Sequence, residues 1–120
     1  MYNGPEKRQY RRIEKPFEAR FRIKSAKVRE VESDDWVSVT LMNLSAGGTF
    51  FYHRKDLGVG TLLDLEIDVA ESTPPINCVG KTLSSDRLQP ASSFCVSISF
   101  VDIGEEEKEL INKVAEGTVK

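Results

Sequence analysis

Two groups of residues in this 120-residue chain have the types and the spacing to bind an anionic ligand. The first is a pair of arginines, Arg8 and Arg12, which stand four positions apart in the basic run of residues 7–12. An arginine side chain presents a planar fork of donors, which can make two parallel charged hydrogen bonds to a phosphate or to the acceptor edge of guanine. The spacing alone is weak evidence, because two arginines fall at this distance in many basic tails.

The second group is a polar, glycine-rich turn that follows a predicted strand. Asn43 offers an amide that both donates and accepts, and Ser45 offers a small hydroxyl close to the main chain. Gly47 and Gly48 permit a positive φ and leave room for a base or phosphate beside the backbone. The alternative is a tight connection that only joins two strands, which would need a glycine but not the polar residues.

Alternating apolar and polar residues predict the β-strands that position these groups. The predicted strands cover residues 17–23, 37–42, 49–53, 63–69, 76–83 and 94–101. Runs rich in glycine, proline and serine separate them. Short strands at this spacing favour a small antiparallel barrel, because closure of the sheet removes exposed strand edges.

A C-terminal helix is predicted for residues 104–116, approximately. Asp102 is expected to be its N-cap, with Glu105 completing a capping box, and Gly117 is expected to end it. The predicted buried face consists of Leu110, Ile111 and Val114. The sequence therefore predicts an all-β barrel domain over residues 16–120 that includes one helix.

The charge of the chain is distributed unevenly. Residues 1–30 contain ten lysines and arginines against four acids, a local charge near +6, although the whole chain has a net charge of −2. Residues 1–15 lack apolar periodicity, so we expect a flexible basic arm on an acidic body. This distribution suits a local anionic ligand better than a broad nucleic-acid surface, although a solvated tail is the simpler alternative.

Several classes of protein are disfavoured by the composition. No apolar run approaches the roughly 20 residues of a membrane helix, and the polar N-terminus lacks a secretory signal, so a cytoplasmic location without membrane insertion is expected. Cys78 and Cys95 lack metal-site spacing and are interpreted as cytosolic thiols, with a disulfide as the alternative.

Catalytic chemistry is also disfavoured. His53 is the only histidine and has no cluster of metal ligands near it in sequence. Asp64, Glu66 and Asp68 alternate along a predicted strand, so a solvated face is expected rather than acid–base catalysis. Since no nucleophile and base can be paired, the chain is not expected to be an enzyme.

In order and spacing, the two groups resemble the RxxxR and (D/N)xSxxG motifs of the PilZ family, bacterial receptors for the second messenger cyclic di-GMP. The resemblance covers most of the chain and implies a six-stranded antiparallel barrel. It assigns ligand binding to Arg8, Arg12, Asn43, Ser45 and Gly48, with possible further contacts from Lys7 and Gly47. Ser97 stands where many members have a glycine in the last strand.

The resemblance also implies what the chain does. Lys7 directly precedes RxxxR, at a position that influences whether one cyclic di-GMP or a stacked pair binds, so one or two molecules per chain are expected. Binding would order the arm and relay the signal to an unidentified protein partner in motility, exopolysaccharide or biofilm control. The receptor would be a monomer or homodimer.

Two alternatives to the receptor remain. One is a PilZ-like protein-interaction adaptor that does not bind nucleotide. Adaptors of that kind usually lack the arginines or the turn residues, and this chain has both. The other is a barrel that binds single-stranded nucleic acid, which would need several exposed aromatics in a basic groove. The acidic body of this chain disfavours it, so no DNA or RNA partner is expected.

Overall fold

A computed structural model describes residues 13–25, 35–89 and 92–117 of the chain. It contains six strands and one helix: β1 (Phe17–Ser25), β2 (Val37–Ser45), β3 (Gly48–His53), β4 (Leu62–Ile67), β5 (Ile76–Leu88), β6 (Ser93–Asp102) and α1 (Glu105–Glu116). The strands pair antiparallel in the order β1-β2-β3-β6-β5-β4, and β1 pairs with β4 to close the barrel. The predicted six-stranded antiparallel barrel with a C-terminal helix is confirmed.

Period-two alternation builds the barrel, because successive side chains of a strand point to opposite faces. In β4, Leu63, Leu65 and Ile67 are buried inside, whereas Asp64 and Glu66 lie on the outer face. Inside the barrel two aromatic rings, Phe21 of β1 and Phe51 of β3, stack with their centroids 5.5 Å apart. Full burial of such a side chain stabilises the fold by about 1.5–3 kcal/mol.

The outer face of β1 and β4 carries a ladder of ion pairs. Arg20 donates from Nε to Glu66 at 2.8 Å and from Nη2 to Asp68 at 3.0 Å. Arg22 donates to Asp64 at 3.2 Å. These hydrogen bonds to Asp68 and Glu66 raise the pKa of the Arg20 guanidinium above its ordinary value.

The ladder refines the sequence interpretation of this face. Asp64, Glu66 and Asp68 do point outward, but they are ion-paired across the sheet rather than free in solvent. Pairs this exposed each contribute only about 0–1 kcal/mol to stability. Their larger effect is on charge, because two arginines of the basic N-terminal third are neutralised within the barrel.

The helix begins differently from the prediction. Its N-cap is Gly104, with φ −71° and ψ 158° and no side-chain cap hydrogen bond. Asp102 is instead the last residue of β6, where it pairs with Val79. The predicted Asp102 N-cap and its capping box with Glu105 are therefore wrong, because strand pairing holds Asp102 in the sheet.

The rest of the helix follows its sequence. Ile111 is fully buried, and Leu110 and Val114 are partly buried against the barrel core, as predicted. Gly117 adopts the left-handed conformation, with φ 84°, and its N–H donates to the carbonyl of Val114 at 3.0 Å. Glycine tolerates this conformation without a Cβ penalty, so the predicted helix end is confirmed.

Candidate functional site

The predicted turn residues lie together on the hairpin that joins β2 and β3. Its two strands are joined by a two-residue turn, Ala46 and Gly47, and Ser45 pairs with Gly48 across it. Asn43 lies two residues before the end of β2 and pairs with Phe50 of β3. The structure thus brings the polar and glycine residues of the second motif into one short segment.

The Ser45 hydroxyl organises the turn. Its Oγ accepts a hydrogen bond from the N–H of Gly47 at 3.2 Å, and it lies 3.4 Å from the carbonyl oxygen of Gly48, to which it donates. Serine hydroxyls make local bonds of this kind in turns because the short side chain reaches the backbone two residues on. Ser45 therefore fixes the turn in the geometry that a ligand would meet.

A second hydroxyl, that of Thr49, locks the base of the hairpin. Thr49 Oγ1 donates to the carbonyl oxygen of Asn43 at 2.5 Å, and both residues are only 7% exposed. A β-bulge between Leu41 and Asn43 leaves Met42 as the extra residue of β2, on the outer face. Sequence reasoning missed Thr49, although its inward position after the turn glycines was a usable signal.

Replacing Thr49 with valine is expected to destabilise the fold by about 1–3 kcal/mol, because it leaves the buried Asn43 carbonyl without its hydroxyl donor. Urea unfolding monitored by circular dichroism measures the change. Thr40→Val on the exposed face of β2 is the matched control and should change the free energy of unfolding by less than about 0.5 kcal/mol. Equal effects of the two substitutions would contradict the locking role.

Gly48 is required by the packing of two strands, a reason that the sequence prediction did not include. Neither Gly47 nor Gly48 has a positive φ, so that part of the sequence interpretation is wrong. A Cβ on Gly48 would instead collide with the carbonyl oxygen of Ile98 on β6. The fold requires glycine here because the β3 and β6 backbones approach closely.

The N-terminal segment reaches this hairpin through an isolated β-bridge. The N–H of Ile13 donates to the carbonyl of Leu44 at 2.7 Å, and the N–H of Leu44 donates back to Ile13 at 3.0 Å. The bridge holds the start of the described chain beside the turn. Arg8, Arg12 and Lys7 lie outside the described residues, so their predicted ligand contacts stay predictions, as does the division into arm and barrel.

The two phenylalanines after the turn occupy opposite faces of β3. Phe51 is fully buried in the core, whereas Phe50 is half-buried on the outer face. The Phe50 ring contacts Tyr52 edge to face, with 5.8 Å between the centroids and 79° between the planes. An aromatic surface therefore extends along the outside of β3 away from the hairpin.

His53 has a packing role. Its ring meets Phe21 edge-on with 5.3 Å between centroids. Burial lowers the pKa of His53, and the charges of Arg54 and Lys55 lower it further, which favours the neutral imidazole at pH 7. Within residues 13–25, 35–89 and 92–117, no three histidine, cysteine or acidic side chains come together to hold a metal.

Both cysteines are free thiols, as predicted. Burial raises the pKa of Cys78 to about 12, with the charges of Glu107 and Asp102 adding to the effect. Burial also raises the pKa of Cys95. The thiolate is the reactive form of cysteine, so neither thiol is activated as a nucleophile. No helix in the described part of the chain is long and apolar enough to span a membrane.

Comparison with known proteins gives a consistent family and fold. Residues 6–116 match the family model of the PilZ domain. The fold is similar to that of the inhibitor of motility MotI/DgrA from Bacillus subtilis, with a TM-score of 0.73 and 16% identity over 92% of this chain and 50% of that one. This chain therefore spans about half the length of the Bacillus protein.

The alignment with a second solved structure covers almost the whole of both chains. The PilZ domain of YcgR from Escherichia coli, solved with c-di-GMP, matches with a TM-score of 0.62 and 12% identity over 94% of this chain and 92% of that one. Identities this low show a shared fold. No curated protein sequence matches the chain.

Proposed function

Because this chain belongs to the PilZ domain family, we propose that it is a non-enzymatic receptor for cyclic di-GMP. The observation that carries the proposal is the Ile13–Leu44 bridge beside the Asn43–Ser45 segment. Ile13 directly follows Arg12 in the sequence, so a segment that binds with the two arginines would start beside the turn. The two motifs that are separate in sequence can then act on one ligand.

Each motif supplies a different chemistry. Arg8 and Arg12 would donate bidentate hydrogen bonds to the phosphates and to the O6 and N7 acceptors of guanine. The Asn43 amide would donate to the ligand or accept from it, whereas an ionised carboxylate could only accept. Ser45 and Gly48 would present the turn backbone at close range, with Gly47 and Lys7 making additional contacts.

Ordering of the arm would transmit the signal. Contacts with the ligand would offset the entropy lost when the part of residues 1–15 that precedes the Ile13–Leu44 bridge becomes fixed against the barrel of residues 16–120. The similar Escherichia coli domain was solved with c-di-GMP, and the similar Bacillus protein is an inhibitor of motility. We therefore propose a cytoplasmic receptor that acts on a protein partner in motility, exopolysaccharide or biofilm control, as a monomer or homodimer.

Isothermal titration calorimetry of the purified protein with cyclic di-GMP tests this function directly. Saturable binding of one or two molecules per chain is expected, with no heat from GTP at the same concentration. The same titration measures the stoichiometry, which the presence of Lys7 before the first arginine does not decide between one and two molecules. Absence of binding by a folded protein would favour the alternative, an adaptor that uses the PilZ barrel only to contact other proteins.

Replacing Ser45 with alanine should separate the role of the turn in binding from its role in stability. The variant loses the two long local hydrogen bonds of the Ser45 hydroxyl, at 3.2 and 3.4 Å, at a half-buried position, so the free energy of unfolding should fall by less than about 1 kcal/mol. The affinity for cyclic di-GMP should fall as the turn loosens. Ser92→Ala, in an exposed turn before β6, is the control. Unchanged affinity with a clearly lowered melting temperature would make Ser45 purely structural.

A further inference from the structure

A groove of about 480 Å³ runs along the outer face of β2 and β3, beyond the turn. It is lined by Ser38, Thr40, Met42, Tyr52, His53 and Arg54, among others. Met42 is the extra residue of the β-bulge and is the immediate neighbour of Asn43. The groove therefore begins beside Asn43 and extends away from the turn, although no residue of the two motifs lines it.

Two exposed side chains with apolar surface stand in the walls of the groove. Tyr52 is 47% exposed and Met42 is 37% exposed. The Phe50 ring packs against the Tyr52 ring from the side facing the turn. An exposed aromatic ring is a stacking surface for a nucleobase, and a polarizable thioether beside it makes favourable contacts with aromatic groups.

One end of the groove carries a positively charged side chain, that of Arg54. Arg54 is exposed, and within the described part of the chain it forms no ion pair, unlike Arg20 and Arg22 in the ladder on β1. Lys55 follows it, and none of the described residues that line the groove is acidic. The end of the groove is therefore positive in an otherwise acidic body, which is complementary to an anionic ligand with acceptor atoms.

We propose that this groove binds a guanine base of the cyclic dinucleotide, with Tyr52 stacking on the base and Arg54 donating to its O6 and N7. The inference rests on the proposed function and extends its site. Phe50 and Tyr52 share the outer face of β3, about 7 Å apart at the rise of a strand, and Arg54 follows directly after the strand ends at His53, so this line of residues leads from the turn toward the groove. A ligand anchored at the turn, or a second molecule stacked on it, reaches the groove along this line.

Calorimetric titration of groove variants with cyclic di-GMP tests the proposal. Tyr52→Ala and Arg54→Ala are each expected to weaken binding at least fivefold, whereas Tyr52→Phe keeps the stacking ring and should stay within twofold of the wild type. Trp36→Ala removes an exposed aromatic ring that stacks on Arg22 outside the groove. Arg87→Ala removes an exposed arginine of β5. Both serve as controls and should bind like the wild type.

Base selectivity provides an independent readout. Adenine has an N6 donor where guanine has the O6 acceptor, so an arginine fork discriminates against it. Arg54→Ala should therefore reduce the preference for cyclic di-GMP over cyclic di-AMP. Tyr52→Ala should weaken the binding of both ligands. Thermal unfolding confirms that each variant is folded, which is expected because both side chains are exposed.

The outcomes distinguish this inference from the function on which it rests. If the wild-type protein does not bind cyclic di-GMP, the proposed function fails, and the groove assignment fails with it. If the wild type binds and both Tyr52→Ala and Arg54→Ala match its affinity and base selectivity, only the groove assignment is overturned.

Discussion

Replacing Arg8 or Arg12 with alanine is expected to weaken cyclic di-GMP binding by roughly 1.5–3 kcal/mol for each substitution, the scale of a charged hydrogen bond. Each guanidinium would contact a phosphate or a guanine edge with two parallel donors, and alanine removes both. Lysine should restore little of the loss, because an ammonium group lacks the fork geometry. Calorimetric titration of the single variants measures the change.

Arg11→Ala is the matched control for this experiment. It removes the same charge from the same segment, so any effect of long-range attraction is equal in all three variants. Arg11 lies between the two motif positions and should point away from the ligand in an extended arm. If the Arg8 and Arg12 variants both keep near-native affinity and an unchanged free energy of unfolding, the arginine segment is not part of the site.

Replacing Gly48 with alanine should produce the largest loss of stability of the substitutions considered, roughly 2–4 kcal/mol. The added Cβ meets the carbonyl oxygen of Ile98, which is held in the β6 backbone and cannot move without disturbing the sheet. Gly80→Ala is the informative comparison. Its Cβ meets side-chain atoms of Ile98 and Leu65 rather than a backbone carbonyl of the sheet, so a smaller loss is expected.

Urea unfolding of the two glycine variants measures the difference in stability. Titration of the folded variants with cyclic di-GMP then measures their affinity. Binding by Gly48→Ala should fall together with stability, because the turn is displaced with the strand. A Gly48→Ala protein of wild-type stability that no longer binds cyclic di-GMP would show the reverse: the glycine would then serve ligand access rather than strand packing.

The barrel was predictable from the sequence because its strands are short, amphipathic and separated by turn residues. Alternation such as that of Leu63 and Leu65 with Asp64 depends only on neighbouring residues and on which face is buried. The start of the helix was not predictable in the same way. Asp102 carries a local capping signal, but pairing with Val79 on a distant strand determines its conformation.

In the candidate site, too, the features set by local sequence were predictable and those set by distant contacts were not. The location of Asn43 and Ser45 on a turn follows from local composition, since both residues favour turns and a glycine pair follows them. The reason for Gly48 does not, because it depends on the distance to Ile98, fifty residues away in the sequence. The turn glycine is therefore weaker evidence for nucleotide binding than the serine or the arginines, because a barrel that had lost its ligand would still need it.

Closure of the barrel limits how a partner protein can recognise this domain. Each of the six strands in the described part of the chain is hydrogen-bonded on both sides, since β1 pairs with both β2 and β4. A partner therefore cannot add an extended segment as a seventh strand, the mode of peptide recognition in which main-chain bonds supply the affinity. Recognition through the barrel would then depend on side chains, whose arrangement could differ between the free state and the proposed ligand-bound state while the sheet itself stays unchanged.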